Sequence, residues 1–232
     1  MKYEDFTIIL PSLNEVNNIG NLIDNLINYY PGISIIVCDD GSTDGTREAI
    51  LSFLGKVKFL DRRSRSTHGL TISVLEASNM VNSKYFIVMD ADGQHPFDKV
   101  RDIMFILEAG ADLAIACREQ LFCLPIFKRF LSYTGNFFGW ISLLSRGKNY
   151  LFYDILSGFF GVKTRLWKEF IFENNNLNSF RLKGYKILFD FLKIVPSYIS
   201  TRKVLYRIKD RYNGSSKVNK NIYWEYIKAL IF

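Results

Sequence analysis

The sequence predicts an α/β domain built on a mostly parallel sheet with helices on both faces. Three observations carry that expectation. Short β-branched runs alternate with amphipathic segments through the first half of the chain. A polar, acid-rich cluster follows three of those runs, at the strand ends where parallel sheets bind ligands. The 232 residues are 48% hydrophobic with only five prolines, enough for one sizeable core and unlike a disordered chain.

Taken in order, Phe6 to Leu10 is a strand that stops at Pro11, and Glu15 to Tyr29 is an amphipathic helix closed by Pro31-Gly32. Ile33 to Cys38 is a second, buried-type strand and Asp39 to Ser42 a turn. Ser42 or Thr43 can cap a helix running to about Leu54. Lys56 to Leu60 reads as a third strand and Gly69 to Asn82 as a helix. Tyr85 to Met89 is a fourth strand ending at Asp90. Asp98 to Ala109 is helical, with Val100, Ile103, Ile106 and Leu107 on one face, and Asp112 to Cys117 is a fifth strand.

Beyond that point the pattern is less regular. Phe122 to Leu144 is aromatic and aliphatic but interrupted by Lys128, Arg129, Ser132 and Asn136, which suits a membrane interface as well as it suits a core. Ile155 to Val162 resembles a strand with a glycine bend, Tyr185 to Val195 a helix and Tyr198 to Ile208 an extended segment. Ile222 to Phe232 reads as a terminal amphipathic helix. No repeat or linker divides the chain, so residues 1–218 are expected to form one domain, with that helix over 219–232.

Cys38, Cys117 and Cys123 form no CxxC pair, which argues against a disulfide framework and a structural zinc site. The acidic, short start of the chain does not read as a signal peptide, and no uninterrupted run of about 18 apolar residues occurs. The expected location is cytoplasmic. Charge is distributed unevenly: residues 1–117 carry 10 Lys/Arg against 16 Asp/Glu, whereas residues 118–232 carry 20 against 7. Fourteen of the 20 phenylalanines share the basic half. Basic and aromatic residues together suit an anionic partner with an apolar part, a phospholipid surface or a nucleic acid; a solvated basic face is the plainer reading.

Asp90-Ala91-Asp92 follows an apolar strand, and two carboxylates one residue apart at a strand end can hold a hard cation whose shell a diphosphate completes. Asp39 and Asp40, before Gly41-Ser42-Thr43-Asp44-Gly45-Thr46, add carboxylates at a second strand end. Such charges need an acceptor: a base N–H, ribose hydroxyls or a metal. Neither GxxxxGK[ST] nor GxGxxG occurs, so a P-loop or nicotinamide site is unsupported. His68 and His95, without suitably spaced partners, read as loop hydrogen-bonders.

Pro11-Ser12-Leu13-Asn14-Glu15, the Asp39–Thr46 block and Asp90-Ala91-Asp92-Gly93-Gln94-His95-Pro96 together resemble glycosyltransferase family 2, of GT-A (Rossmann-like) fold with a mixed, mostly parallel sheet. Gly110 to Leu113 leading to Arg118, Ser157-Gly158-Phe159, Gly184-Tyr185-Lys186 and Arg211 to Lys217 resemble its dolichyl-phosphate mannose synthase group of polyprenyl-phosphate glycosyltransferases. The resemblance implies that Pro11, Leu13, Glu15 and Ala91 border the nucleotide sugar, that Asp40 faces its base or ribose, and that Asp90, Asp92 and Gln94 hold Mg2+ or Mn2+ with the diphosphate. It implies phosphate contacts for Arg118, Arg211 and Lys217, with Lys128, Arg129 and Ser132 at the acceptor. Asp92, Arg118 and Arg129 would be catalytic. The family's Ser-Arg pair is altered here, Tyr133 following Ser132, and the Asp61–Gly69 segment lacks the family's glycine-rich spacing.

The expected function is metal-dependent, inverting transfer of a hexose from a nucleotide diphosphate sugar (GDP-mannose or UDP-glucose type) to polyprenyl or dolichyl phosphate. The protein would sit peripherally on the cytosolic face of a membrane, with or without a membrane-spanning partner subunit. A rival of the same fold acts on a sugar hydroxyl and needs a carboxylate base, for which Asp154 is the candidate. A basic nucleic-acid-binding domain is the remote rival; no RNP, KH or zinc-finger pattern supports it.

Overall fold

The computed structural model of the chain describes residues 1–119 and 126–207, without the side chains of Phe127 and Lys128. The boundary at 218, the terminal amphipathic helix, Arg211, Lys217 and Cys123 lie outside the described residues. The first half alternates as its periodicity predicts: β1 (Phe6–Ser12), α1 (Val16–Tyr29), β2 (Ser34–Asp39), α2 (Thr46–Leu51), β3 (Lys58–Asp61), α3 (Leu70–Asn79), β4 (Tyr85–Val88), α4 (Val100–Glu108) and β5 (Leu113–Arg118). There follow α5 (Ile126–Leu144), β6 (Phe160–Lys163), α6 (Thr164–Lys168), α7 (Ile187–Ile194) and β7 (Thr201–Tyr206).

These strands form one seven-stranded sheet in the order β3-β2-β1-β4-β6-β5-β7. All neighbours pair parallel except β6, which runs antiparallel to both β4 and β5. Side-chain alternation splits the core in two. Ile8, Leu10, Val37 and Ile87 pack on one face with Ile19, Leu22, Ile23 and Leu26 of α1 and Ile103 and Leu107 of α4. Ile9, Ile36 and Phe86 pack on the other with Val74 of α3, Trp167 of α6 and Phe189 of α7. The fold is therefore the α/β sheet flanked by helices that the sequence predicts.

Two elements differ from expectation. The helix expected from Ser42 or Thr43 starts only at Thr46, because those residues are tied elsewhere: Ser42 to Asp39, and the Thr43 N–H to Asn14 Oδ1 at 2.9 Å. The strand expected over Ile155 to Val162 shrinks to β6. Upstream, the N–H groups of Asp154 and Ile155 donate to side chains, Cys117 Sγ at 3.3 Å and Asn136 Oδ1 at 3.0 Å, so no ladder can form.

At the far end of α5, Lys148 Nζ donates to the carbonyls of Leu192 (3.1 Å), Lys193 (2.6 Å) and Val195, closing the C-terminus of α7. Lys148→Met removes this charge-assisted cap, and stability is expected to fall by about 1–2 kcal/mol. Thermal melting reads this as a drop of several degrees; an unchanged melting temperature would mean that the cap contributes nothing.

Candidate active site

The carboxyl ends of β2, β1 and β4 lie side by side, and the strand order reverses direction around β1, which makes this edge the natural ligand crevice. Pro11 lies opposite Cys38 of β2, and β1 runs one residue past the stop expected there, to Ser12 opposite Asp39. The two loops that follow are fastened together: the Asn14 N–H donates to Ser42 Oγ (2.8 Å), the Glu15 N–H to Thr46 Oγ1 (2.7 Å) and the Val16 N–H to Asp44 Oδ2 (3.2 Å). Leu13 stays exposed and Glu15 half-buried on this seam.

The strand-end carboxylates that the sequence leaves unmatched find partners inside the fold. Asp39, fully buried, accepts from Ser12 Oγ (3.1 Å), the Ser42 N–H (2.9 Å) and Ser42 Oγ. Asp40 accepts from the Gly69 N–H at 2.6 Å and pairs with the wholly buried Arg62. Arg62 also reaches Glu76 Oε2 (3.2 Å), Ser73 Oγ (2.9 Å) and the Thr67 carbonyl (2.8 Å). His68 Nδ1 lies 3.1 Å from Asp40 Oδ1, as expected of a loop hydrogen-bonder. A basic run marks Arg62 in the sequence, but only folding singles it out from Arg63 and Arg65.

Asp90, Ala91, Asp92 and Gln94 form the turn after β4. The Asp90 N–H donates to His95 Nδ1 at 3.1 Å, so the neutral imidazole carries its proton on Nε2, 3.8 Å from Asp90 Oδ2. His95 is buried, stacked on Phe159 (5.0 Å) and edge-on to Tyr206 (5.7 Å). Asp92 Oδ1 accepts the Gln94 N–H at 3.0 Å across Gly93. Ser157-Gly158 lies directly over Asp90: a Cβ on Gly158 would stand 2.8 Å from Asp90 Oδ1, so only glycine leaves that carboxylate room.

Among the described residues no three His, Cys, Asp or Glu side chains are grouped to hold a metal. The chemistry of the turn nevertheless fits a hard divalent cation. It offers two carboxylates and the Gln94 amide, the Asp90 oxygens accept no hydrogen bond among the described residues, and substrate phosphates commonly complete such a sphere.

Arg118, at the end of β5, makes the second centre of charge. Its Nε and Nη2 grip Asp154 at 2.6 and 3.0 Å, and Nη2 also donates to Ser132 Oγ at 3.0 Å. Asn136 Nδ2 adds a 3.3 Å contact to Asp154. Burial works against the charge on Arg118, but Asp154 outweighs it and raises the guanidinium pKa. Burial would likewise raise the Asp154 carboxyl, yet the charge and hydrogen bonds of Arg118 hold it below the usual carboxylate range. Arg118 Nη1 has no hydrogen bond among the described residues.

The structure thus brings Arg118 and Ser132 together at the same edge as Asp90. Arg129, Ser132 and Asn136, spaced three and four apart, share one face of α5. The Lys128 side chain lies outside the described residues, as do Arg211 and Lys217. An adjoining face of α5 carries Phe130, Tyr133, Phe137, Ile141 and Leu144, all exposed. Phe130 and Phe137 are 64% and 54% accessible, which removes them from the core, while Trp140 is half-buried and donates to the Tyr153 carbonyl at 2.9 Å.

Known proteins match this chain over most of its length. Dolichol-phosphate mannosyltransferase of Pyrococcus furiosus is 28% identical over 230 residues, covering 97% of this chain, which spans 62% of that relative. Polyprenol monophosphomannose synthase of Mycolicibacterium smegmatis is 28% identical over 224 residues, 91% of this chain and 80% of that protein. Among solved structures, glucosyl-3-phosphoglycerate synthase from Mycobacterium tuberculosis, in complex with Mn2+, UDP-glucose and phosphoglyceric acid, shares the fold. It aligns with a TM-score of 0.71 at 17% identity, over 97% of this chain and 78% of that one. The model of glycosyl transferase family 2 matches residues 7–170. That span holds the loops after β1, β2 and β4 and the Arg118–Asp154 pair, and the chain belongs to this family.

Proposed function

We propose that the protein transfers a hexose, with inversion, from a nucleotide diphosphate sugar of GDP-mannose or UDP-glucose type to a polyprenyl or dolichyl phosphate. The observation that carries this reading is the state of Asp154. An acceptor hydroxyl needs a general base, and Asp154, the candidate for that role, is locked to Arg118 with its pKa depressed. A phosphate acceptor is already ionised near neutral pH and needs a cation instead, which Arg118 Nη1 offers. The relatives named for dolichol phosphate and polyprenol support the same acceptor class.

In this reading Pro11, Leu13, Glu15 and Asp40 border the nucleotide, and Arg118, Arg129 and Ser132 orient the acceptor phosphate. Asp90, Asp92 and Gln94 would hold Mg2+ or Mn2+, which when bound supplies positive charge to the departing diphosphate. Catalysis then rests on alignment and charge neutralisation rather than on proton transfer. The direct test is incubation with a panel of nucleotide sugars, Mn2+ and a short-chain prenyl phosphate. A glycosyl phosphate lipid of inverted anomeric configuration is expected; transfer to sugar hydroxyls alone would overturn the reading.

The exposed stripe of α5 would rest at the membrane surface that holds such an acceptor. No helix among the described residues is long and apolar enough to cross a membrane. Aromatic side chains at an interface bind in a way that salt does not remove, while basic residues contribute about 1 kcal/mol each and are screened. Co-sedimentation with anionic liposomes should fall but not vanish as salt rises. Phe137→Ser with Phe138→Ser should remove most of the salt-resistant part without lowering the melting temperature, both rings being exposed. Absence of sedimentation at low salt would leave a transferase without a membrane surface.

A further inference from the structure

We propose that His95 is a positioning residue: its Nδ1 fixes the backbone of Asp90, and through it the place of the Asp90 carboxylate in the cation site. The proposal rests on the transfer reading given above, in which this turn holds Mg2+ or Mn2+. The ladder of β4 stops one residue short of the turn. The Met89 N–H still donates to the Ile9 carbonyl of β1 at 3.1 Å, whereas the next donor, the Asp90 N–H, finds His95 Nδ1 at 3.1 Å. A ring nitrogen accepts only when it carries no proton, so the contact closes the loop from Asp90 to His95 with one tautomer. Without that acceptor the N–H has to turn toward solvent, and the carboxylate borne on the same residue moves with it.

The ring is itself held. His95 is 7% exposed, stacked on Phe159 at 5.0 Å with the planes 20° apart, and edge-on to Tyr206 at 5.7 Å. Phe159 is fixed in turn. Its N–H donates to Ser157 Oγ at 3.1 Å, and its carbonyl accepts the Ala116 N–H of β5 at 3.0 Å. The residue between, Gly158, covers the Asp90 carboxylate so closely that a Cβ would meet it at 2.8 Å. The short segment Ser157 to Phe159 therefore bounds Asp90 twice, directly at the carboxylate and through the imidazole at the backbone.

His95 Nε2 lies 3.8 Å from Asp90 Oδ2, beyond hydrogen-bond distance, so the ring places the carboxylate without occupying it. A carboxylate already in place binds a cation without an ordering cost, and partners that orient such ligands typically govern 10- to 100-fold in metal affinity. A buried histidine that only fills space needs its ring; one that positions Asp90 needs its nitrogen. Substitution separates the two.

His95→Phe keeps a ring for Phe159 and Tyr206 and removes the acceptor. His95→Asn gives up the ring and keeps an acceptor, since Asn Oδ1 stands as many bonds from the backbone as Nδ1. Calorimetry would give the Kd of GDP and UDP with Mn2+ and in EDTA, with melting temperatures beside them. With Mn2+ the nucleotide that the wild type takes should bind about 10-fold more weakly to His95→Phe and within about threefold to His95→Asn. In EDTA the three proteins should agree within about twofold. Exchange of the Asp90 amide, followed without metal, should be slow in the wild type and His95→Asn and at least about 10-fold faster in His95→Phe. Wild-type Mn2+-dependent binding in His95→Phe, the reverse order of the two variants, or equal losses in both with lowered melting temperatures would each overturn the proposal. If the wild type binds neither nucleotide better with Mn2+ than in EDTA, the metal part of the transfer reading fails. Asp90 exchange then decides alone: protection lost only in His95→Phe upholds the hold on the turn, and equal exchange in all three proteins rejects it.

Discussion

Asp92→Asn is expected to lower divalent-dependent turnover at least about 100-fold while leaving the fold intact. Asparagine keeps the acceptor that receives the Gln94 N–H at 3.0 Å, so the turn around Gly93 survives. It removes one of the two negative charges this turn offers a hard cation, and loss of one stabilising group at a developing charge typically costs 10²- to 10³-fold. Turnover should be titrated with Mn2+ in both proteins, with melting temperature measured beside it. Wild-type turnover in Asp92→Asn would remove Asp92 from the metal set. Loss of turnover with a collapsed melting curve would mean instead that Asp92 holds the turn.

Asp154→Ala should be among the most destabilising single changes at the site. The Arg118 and Asp154 side chains are 18% and 9% exposed, and removing the acid strands the cation without its two short hydrogen bonds. Breaking one partner of a buried pair costs about 3–5 kcal/mol, a fall in melting temperature of roughly 10 °C for a domain of this size. The double change Arg118→Met with Asp154→Leu should recover much of the stability and none of the transfer, because no uncompensated charge remains and the phosphate contact is gone. The pair also sets a pH limb. Because the folded pKa of Asp154 is depressed, its contribution is present above the unfolded carboxylate value near 4 and is lost as pH falls through the folded value. Asp154→Ala should flatten that acid limb. A variant that melts with the wild type would show that Arg118 finds solvent.

The alternation of β1 to β5 with α1 to α4 is legible in the sequence because the signals are local. Ile8, Ile9 and Leu10 need only their own neighbours to declare a strand, and Ile19, Leu22, Ile23 and Leu26 only a period of 3.6 to declare a helix face. The clusters at Pro11–Glu15, Asp39–Thr46 and Asp90–Pro96 are legible for the same reason: each follows its strand directly. Local reading misplaces the start of α2 and the extent of β6, since side chains from distant segments consume the backbone donors there.

By itself, then, the sequence determined the parallel sheet, its helical faces and the acid-rich ends of β1, β2 and β4. Only the tertiary structure decided that antiparallel β6 enters between β4 and β5, that Gly158 lies over Asp90, and that Arg118 pairs with an acid 36 residues away. It also decided which aromatic residues of α5 face outward and that His95 accepts the Asp90 N–H. Backbone periodicity and turn chemistry act over a few residues, whereas burial, close approach and charge pairing depend on which distant segments packing brings within a few ångströms.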